Sequence, residues 1–537
     1  MSRNADHDAA VRRERHFDDR VVTCFADRPS GPFAAFAHSV AERPEAEALV
    51  AGDVRLSYRA LDAHAALVAG ALAERGIAAG DRVALLLSNR VEFVVVLLAT
   101  LRLGAIVVPL GTRLQTPEIA YIVDHSGARL LVHDAGLGAR LPLPADVPGL
   151  VHRVAVGGPV AGSEAYERLE AAEADGAVHT GHEDDVAAIL YTSGTTGRPK
   201  GAMLTRLNLV HSMLNYALAM RMGPADRTLM AVPASHVTGL VANVMLAWQA
   251  QCALILMPEF KARTFLEVAA RERMTHTVIV PAMYHLCLLD PELARFDLSA
   301  WRVGGYGGAP MDESTIAALA ARLPGLGLTN IYGSTETSGP VTLLPSRHAA
   351  ARPDSTGFVV PCAEIVVVDD DGREVCAGDT GELWIRGAMV VPGYWANAEA
   401  TQLGFVAGYW RSGDIGSIDA DGYVRIHDRL KDMLNRGGFK IYSVEVENVL
   451  LEHAAVVESA VVGKPCPVLG ERVHAFVRLK DDAPLDAALL RRFCAERLAD
   501  YKVPETYTLG FEPLPRNANG KLLKRQLRER LEAESAT

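Results

Sequence analysis

The segment Leu190–Gly201 reads LYTSGTTGRPKG and directly follows the apolar run Val186–Leu190. It carries four Ser/Thr hydroxyls, three glycines and one lysine, Lys200. Glycine lets backbone N–H groups turn toward a ligand, the hydroxyls add donors, and the lysine adds a positive charge. The pattern therefore predicts a strand that ends in a loop for anionic oxygens, with phosphate as the natural ligand.

The segment does not match the nucleotide-binding P-loop. That motif needs a Ser or Thr directly after its lysine, whereas here Pro199 precedes Lys200 and Gly201 follows it. Such clusters are also typical of mobile polar surface loops, but the apolar strand in front and the lone lysine favour a binding loop. The segment closely resembles the signature loop of the adenylate-forming superfamily, which comprises acyl-CoA synthetases, insect luciferases and the adenylation domains of peptide synthetases. The resemblance implies that the phosphates of ATP are held by Thr192, Ser193, Gly194, Thr195, Thr196 and Lys200.

Composition excludes several other classes of function. The net charge of −11 argues against nucleic acid as a partner, because phosphate backbones bind basic surfaces. Seven scattered cysteines without a C-x-x-C spacing predict a reducing compartment, no disulfide framework and no zinc site. The N-terminus lacks the apolar core of a signal peptide, so we expect a cytoplasmic protein.

One uncharged stretch, residues 228–258, requires a test against a membrane span. Polar residues such as His236, Asn243 and Gln249 interrupt it, whereas a spanning helix needs about 20 continuous apolar residues. The stretch therefore predicts a buried strand, loop, helix and second strand, with no integral membrane segment.

Alternating helices and apolar strands between residues 58 and 132 predict an α/β fold with a parallel, helix-covered sheet. Residues 135–180 are rich in Pro, Gly and Ala and predict a variable surface connection. From about 360 to 428, short alternating segments separated by Asp-Gly turns predict an antiparallel β subdomain. We therefore expect an N-terminal domain over residues 1–428 and a small mobile α+β domain over 429–537.

A second motif, YGSTET at Tyr332–Thr337, follows a predicted strand. An aromatic ring, a hydroxyl and a carboxylate at a strand's carboxyl end suit a stacked base, a phosphate oxygen and a metal ion. Taken alone, the motif fits a core tyrosine and a solvated glutamate better than a binding site, and the loop at 191–201 reverses that preference. The resemblance implies that Tyr332 stacks on adenine beside Gly333, Thr335 meets the α-phosphate and Glu336 holds Mg²⁺, while Asn330 reads the adenine amino group.

Glycines at 304–308 remove side chains beside a flat ligand, although a tight turn would need them too. In the resembling family this stretch borders adenine and the acyl group. The resemblance therefore implies adenine contacts from Gly308, Ala309 and Pro310, and an acyl pocket lined by His236, Val237, Gly305, Gly307 and Ser338. His236 resembles the residue that gates this pocket, and a purely structural histidine is the alternative.

Motifs toward the C-terminus complete the resemblance. Asp414 carries a carboxylate that suits the two ribose hydroxyls, and the resemblance gives Arg429 the second ribose contact. It also implies a hinge at Lys431, where Asp is common, and a CoA channel at Gly437, Gly438 and Lys440. Lys521 matches the family's catalytic lysine for adenylation.

The resemblance implies an ATP-dependent acid–CoA ligase with ATP, Mg²⁺ and coenzyme A. No acidic residue lies between Asp226 and Glu259 to pair with an α-ammonium, which disfavours amino acids. We expect an aromatic or medium-chain apolar acid and a monomer or homodimer. The main alternative is a stand-alone adenylation enzyme that loads a carrier-protein phosphopantetheine. A nucleotide sensor would lack Glu336 or Lys521, and a luciferase-like oxygenase shares the motifs.

Overall fold

The computed structural model describes residues 9–174, 176–192, 198–349, 351–480, 485–516 and 522–536. The chain divides into two compact units. The first comprises Met1–Ile365, Ile385–Arg411 and Asp421–Val424, and the second comprises Val366–Trp384, Ser412–Ala420 and Arg425–Thr537. The predicted single boundary near residue 428 stays a prediction.

The elements up to the signature loop are, in chain order, β1 (Val11–His16), β2 (Arg20–Phe25), α1 (Pro32–Glu42), β3 (Glu47–Ala51), β4 (Val54–Ser57), α2 (Tyr58–Glu74), β5 (Arg82–Leu86), α3 (Val91–Arg102), β6 (Ile106–Pro109), α4 (Thr116–Ser126), β7 (Ala128–Asp134), β8 (His152–Val156), β9 (Glu164–Ala165), α5 (Glu167–Glu170) and β10 (Val186–Thr192).

The elements from the signature loop to residue 359 are β11 (Lys200–Thr205), α6 (Arg206–Ala219), β12 (Arg227–Met230), α7 (Val237–Gly239), a π-helical segment (Leu240–Met245), α8 (Leu246–Gln249), β13 (Ala253–Leu256), α9 (Ala262–Arg271), β14 (His276–Ile279), α10 (Pro281–Leu288), β15 (Val303–Gly307), α11 (Glu313–Arg322), β16 (Gly327–Ser334), β17 (Gly339–Leu344), α12 (Ser346–Ala349) and β18 (Phe358–Val359).

The remaining elements are β19 (Ala363–Val368), β20 (Thr380–Gly387), α13 (Ala398–Gly404), β21 (Phe405–Val406), β22 (Tyr409–Ile418), β23 (Val424–Arg429), β24 (Leu434–Arg436), β25 (Phe439–Ile441), α14 (Ser443–Leu451), β26 (Val456–Cys466), β27 (Gly470–Leu479), α15 (Ala487–Ala495), β28 (Thr506–Gly510) and α16 (Lys524–Ala536). Short 3₁₀ turns lie at Ala135–Arg140, Pro144–Asp146, Leu293–Arg295 and Asp500–Lys502.

Two large sheets build the first unit. The seven-stranded sheet has the order β11-β10-β6-β5-β7-β8-β9, and the nine-stranded sheet has the order β18-β17-β16-β15-β14-β12-β13-β3-β4. Their central strands are parallel, whereas β11, β17, β18 and β4 pair antiparallel. Long helices such as α3, buried along almost its whole length, link the parallel strands. The predicted α/β fold class is confirmed.

The C-terminal part of the second unit is a small α+β layer. Its sheet has the order β25-β24-β27-β26, with β28 beside β27. Side chains alternate along β26 and β27, because successive residues of a strand point to opposite faces. Val461 and Ala475 pack with α14 and α15, whereas Val462 and Phe476 pack with α16.

Residues 135–180 differ from the expected surface connection, because they contain β8, β9 and α5. The five residues of β8 pair parallel with β7 and extend the seven-stranded sheet. Such a short strand inside a Pro/Gly/Ala-rich stretch gives too few residues for periodicity to be recognised. By contrast, the uncharged stretch 228–258 forms β12, a helical segment and β13, as predicted. Among the described residues, every helix is too short or too polar to cross a membrane.

The β1–β2 hairpin carries Glu14, His16 and Cys24, whose ligand-type atoms lie within 4.8 Å of one another. Glu14 is already neutralised, because Arg28 donates to both its oxygens at 2.8 and 2.7 Å. That hydrogen bonding holds the pKa of Glu14 well below its usual range. His16 Nδ1 lies 2.7 Å from Asp184 Oδ1. The cluster therefore acts as an ion-paired network that fastens the hairpin to the segment before β10.

His211 in α6 provides a pH-dependent contribution to the stability of the first unit. The fully buried ring accepts the N–H of Phe25 at Nε2 (3.1 Å), and its Nδ1 lies 2.9 Å from the carbonyl oxygen of Leu207. Burial lowers the pKa of His211 from 6.5 to about 4. Between these values the unfolded chain binds more protons than the folded chain. The stabilisation is therefore present above pH 6.5 and is lost as the pH falls toward 4.

We expect His211→Gln to reduce the loss of stability of the first unit between pH 7 and 5. Gln keeps an acceptor near the Phe25 N–H but does not titrate. Between pH 7 and 5 the variant should therefore lose about 2 kcal/mol less of its free energy of unfolding than the wild type. Thermal unfolding across this pH range measures it. The exposed His38 supplies the control, and His38→Gln should keep the wild-type slope. If His211→Gln loses stability with falling pH as steeply as the wild type, His211 is not the source of the pH dependence.

Candidate active site

Glu336 lies in the tight turn between β16 and β17. The hydroxyl of Thr337 fixes this turn, because it accepts the N–H of Ser334 (2.9 Å) and donates to the carbonyl oxygen of Gly339 (2.8 Å). The carboxylate of Glu336 is 8% exposed. Its Oε2 accepts the hydroxyl of Ser334 at 2.5 Å and its Oε1 accepts the hydroxyl of Tyr394 at 3.0 Å. Glu336 is thus a buried carboxylate held in one orientation by two hydroxyl donors.

Lys200 is the first residue of β11, directly opposite Thr192 in the antiparallel β10–β11 pair. The hydroxyl of Thr192 donates to the carbonyl oxygen of Lys200 at 3.4 Å. The ammonium of Lys200 lies 5.2 Å from the centre of the Tyr394 ring. The predicted phosphate residue Lys200 and the predicted metal residue Glu336 therefore contact the same side chain.

Four of the predicted phosphate residues, Ser193, Gly194, Thr195 and Thr196, lie outside the described residues, as does Lys521. The strands on both sides of the signature loop are described. β10 and β11 form a hairpin with a register shift between Val186 and Ala188, and six residue pairs connect them. The hairpin fixes the ends of the signature loop at the edge of the seven-stranded sheet.

The predicted adenine residues lie at the carboxyl ends of β15 and β16, two neighbouring parallel strands. Gly308, Ala309 and Pro310 directly follow β15, and Gly308 has φ +76°, a conformation that favours glycine. Asn330, Tyr332 and Gly333 lie on β16, and Thr335 follows it. This is the edge at which ligands bind in open α/β sheets.

Asn330 has a defined amide orientation. Its Nδ2 donates to the carbonyl oxygen of Ser355 at 3.1 Å. The amide oxygen therefore points away from that bond and is the acceptor that an exocyclic amino group requires. This arrangement is compatible with the adenine contact that the sequence predicts.

Gly305 and Gly307, predicted to border the acyl pocket, also have packing reasons to be glycine. A Cβ at Gly305 would lie 2.9 Å from both Ile331 Cδ1 and Val278 Cγ2, and one at Gly307 would collide with the carbonyl oxygen of Ile331. Close approach of the parallel strands therefore accounts for these glycines without a ligand. Ser338 has φ +54°, and its buried hydroxyl contacts no hydrogen-bond partner in the described part of the chain.

His236 and Val237 lie where β12 leads into the helical segment that starts at α7. Asn89, which sequence reasoning did not identify, fixes this turn from the end of β5. Its Nδ2 donates to the carbonyl oxygens of Val232 and Met257, both at 2.9 Å, and its Oδ1 accepts the N–H of Ala234 at 2.9 Å. The π-helical segment that follows is a feature often found at functional sites.

In the second unit, the two predicted ribose residues form an ion pair. Arg429 Nε lies 3.2 Å from Asp414 Oδ1, and Asp414 is 8% exposed whereas Arg429 is 45% exposed. The side chains are therefore brought together from β22 and β23, although they are 15 positions apart in the sequence. An arginine beside the carboxylate orients it for hydroxyl donors.

The predicted hinge residue Lys431 lies two residues after the end of β23. Arg528 of α16 donates to the carbonyl oxygen of Lys431 (3.1 Å) and to Asp432 Oδ1 (2.7 Å). Gly437 and Gly438 form the turn between β24 and β25, with φ values of +60° and +90°. Lys440 on β25 pairs with Asp370 at 2.9 Å. Gly437, Gly438 and Lys440 are all exposed, at the β24–β25 turn and on β25. Their role in a CoA channel stays a prediction.

Comparison with known proteins assigns the family. Residues 36–395 match the family model described as AMP-binding enzyme, and residues 445–521 match the AMP-binding enzyme C-terminal domain. The chain belongs to the AMP-binding enzyme family. Together the two family models match most of the chain, and the matched ranges contain most of the predicted site residues.

Three proteins similar to this AMP-binding enzyme are named as CoA ligases or synthetases. The long-chain-fatty-acid–CoA ligase FadD13 of Mycobacterium tuberculosis is 36% identical over 499 residues, which cover 92% of this chain and 97% of FadD13. The anthranilate CoA ligase AuaEII in complex with anthranoyl-AMP has a TM-score of 0.87 at 27% identity, covering 95% and 99% of the two chains. The o-succinylbenzoate CoA synthetase MenE of Bacillus subtilis, with ATP and magnesium, has a TM-score of 0.81 at 29% identity, covering 93% and 99%.

The Asp414–Arg429 pair yields a test of the ribose assignment. Asp414→Ala and Arg429→Ala should each raise the KM for ATP about tenfold, because each loses a charged hydrogen bond. The double variant should show less than the product of the two effects, since either substitution already breaks the ion pair. Steady-state kinetics at saturating acid measure this coupling.

Arg425 pairs with Asp419 at 3.0 Å in the same unit and supplies the matched control. Arg425→Ala should leave the KM for ATP unchanged. Fully multiplicative effects of Asp414→Ala and Arg429→Ala would show that the two side chains act on different groups.

Proposed function

We propose that this AMP-binding enzyme is an ATP-dependent acid–CoA ligase. The observation that carries the proposal is the buried Glu336 carboxylate, oriented by Ser334 and by Tyr394, whose ring also contacts Lys200. This is the charge arrangement that a polyphosphate and its divalent cation need. The similar proteins with anthranoyl-AMP or ATP and magnesium support the same chemistry.

The reaction has two displacements. First, a carboxylate oxygen of the acid attacks the α-phosphorus of ATP, a new O–P bond forms, and the bond to pyrophosphate breaks. Then the CoA thiol attacks the acyl carbon, its proton passes to solvent, and AMP leaves. A carboxylate is a poor electrophile. Conversion to the acyl-adenylate, a mixed anhydride with AMP, supplies the leaving group. Such phosphoryl chemistry requires mainly positioning and charge stabilisation from the protein.

The proposed site residues divide this work. Glu336 would hold Mg²⁺, since carboxylate oxygens are its preferred protein ligands. When bound, Mg²⁺ neutralises phosphate charge. Tyr332 and Asn330 bind adenine, Asp414 and Arg429 bind ribose, and Thr335 meets the α-phosphate. Thr192 and Lys200, with residues 193–196, hold the β- and γ-phosphates.

Lys521 is proposed as the adenylating lysine and Lys431 as the hinge between the two half-reactions. Lys521 is the last residue of the match to the AMP-binding enzyme C-terminal domain, which begins at residue 445. The hinge assignment is supported by the resemblance of Asp428–Asp432 to the family's hinge motif. Lys521 would lie between the carboxylate and the α-phosphate in the first step. Rotation about Lys431 would replace it with Gly437, Gly438 and Lys440 in the second.

The proposed substrate is an aromatic or medium-chain apolar acid, bound beside His236 and Val237. Charge supports this choice, because residues 228–258 contain no acid to pair with an amino acid's ammonium. The carrier-protein alternative is disfavoured, since the three similar proteins described above act on CoA. All seven cysteines are free, which supports a reducing compartment such as the cytoplasm.

Pyrophosphate release over a panel of carboxylic acids, with and without CoA, tests the proposed function. We expect release to depend on an aromatic or medium-chain acid, and acyl-CoA to form when CoA is present. Phosphopantetheinyl carrier protein replaces CoA in a parallel reaction. Acyl transfer to the carrier protein alone would establish the alternative, and release that ignores the acid would contradict both.

Lys521→Ala separates the two half-reactions. Acyl-adenylate formation should fall by about two orders of magnitude or more, whereas thioesterification of supplied acyl-adenylate should be nearly unchanged. Single-turnover assays of each step measure this. Lys480→Ala, at an exposed lysine of the same unit, should change neither step. Equal loss of both steps in Lys521→Ala would contradict the alternation model.

A further inference from the structure

Tyr394 contacts both charged groups of the proposed phosphate site. Its hydroxyl donates to Glu336 Oε1 at 3.0 Å, and its ring lies beneath the ammonium of Lys200, 5.2 Å from the ring centre. The side chain is 7% exposed.

The backbone of Tyr394 is fixed from several directions. Tyr394 forms an antiparallel bridge with Ala202 of β11, and its N–H donates to the hydroxyl of Thr401 at 2.9 Å. Next to it, the N–H of Trp395 donates to the carbonyl oxygen of Gly201 at 2.7 Å. Phe405 packs edge-on against the Tyr394 ring at 5.7 Å. The tyrosine is therefore positioned before any ligand arrives.

The other end of the same segment contacts the Glu336 turn. The N–H of Val391 donates to the carbonyl oxygen of Glu336 at 2.9 Å. Residues 391–395 thus connect the β16–β17 turn to the start of β11, and Tyr394 is the side chain that contacts both.

Lys200 and Glu336 carry opposite charges and contact two different parts of one side chain, the ring and the hydroxyl of Tyr394. The described residues contain no ion pair between them, and their contacts are instead to the face and to the hydroxyl of Tyr394. A direct Lys200–Glu336 pair would neutralise both groups and reduce the attraction of each for its own ligand.

We propose that Tyr394 is a positioning residue that keeps Lys200 and Glu336 apart and orients each toward its ligand. The hydroxyl fixes the carboxylate that would hold Mg²⁺, and the ring holds the lysine by a cation–π contact. This inference rests on the proposed function, because it concerns the same ATP site. It assigns two separable tasks to two parts of one side chain.

Tyr394→Phe and Tyr394→Leu separate the two tasks. The measured quantity is the Kd of ATP without acid or CoA, by calorimetry, in the presence and absence of Mg²⁺. Tyr394→Phe keeps the ring but loses the hydroxyl, so the gain in affinity that Mg²⁺ provides should shrink about threefold to tenfold. Its Kd for ATP without Mg²⁺ should match the wild type. Tyr394→Leu should also weaken Mg²⁺-free ATP binding about tenfold, because Lys200 is released toward Glu336.

Tyr409→Phe is the matched control, because the Tyr409 hydroxyl also donates to a carboxylate, that of Glu364. It should change neither Kd. A second comparison uses Glu336→Gln, in whose background Tyr394→Phe should have no further effect on the Mg²⁺ dependence. A thermal unfolding midpoint near the wild type shows that each variant is folded.

The proposal is overturned if Tyr394→Phe keeps the wild-type gain from Mg²⁺, or if its effect persists in Glu336→Gln. It is also overturned if Tyr394→Leu and Tyr394→Phe behave identically without Mg²⁺. Acid-dependent pyrophosphate release by the wild type tests the proposed function separately. If the wild type releases pyrophosphate in response to the acid but the Tyr394 variants bind ATP as the wild type does, only the role of Tyr394 is contradicted.

Discussion

The proposed site depends on one hydrogen-bonded carboxylate. Glu336 is buried, and a buried carboxylate is costly unless donors satisfy it. Ser334 provides one donor from two residues away, and Tyr394 provides the other from 58 residues further along the chain. The local donor comes with the turn, whereas the distant donor requires the segment 391–395 to be placed beside β11. The chemistry of the site therefore depends on the tertiary structure of the first unit.

The topology of the first unit explains why the motifs meet. Parallel strands put their carboxyl ends at one edge, so the residues after β15 and β16 become neighbours although the two strands start 24 positions apart in sequence. The β10–β11 hairpin presents Thr192 and Lys200 at the edge of the other large sheet. In the second unit, β22 and β23 bring Asp414 and Arg429 to 3.2 Å. Among the described residues, regular strands thus position most of the predicted side chains, and the β16–β17 turn carries Thr335 and Glu336.

Sequence reasoning recovered the fold class, most strands and helices, and the family. It predicted elements where the periodic pattern was long, and it identified the family from motifs that carry several chemical groups, as at Tyr332–Glu336. It missed β8 because five residues give little periodicity. It also missed Asn89 and Tyr394, since each acts through partners more than 50 positions away. The adjacent aromatics after Pro392 and Gly393 were the only local signal for Tyr394. Gly305 and Gly307 were assigned to a pocket, but the close approach of β14, β15 and β16 also requires them.

The central claim is that this chain activates a carboxylic acid as its acyl-adenylate. Carboxylate labelled with ¹⁸O tests the claim most directly, because the attacking oxygen stays on phosphorus when the thiol displaces AMP. Mass spectrometry of the products, after turnover with CoA and ATP, reads out the label. The account predicts AMP that carries one ¹⁸O and pyrophosphate that carries none. Label in inorganic phosphate, with ADP as the nucleotide product, would contradict it.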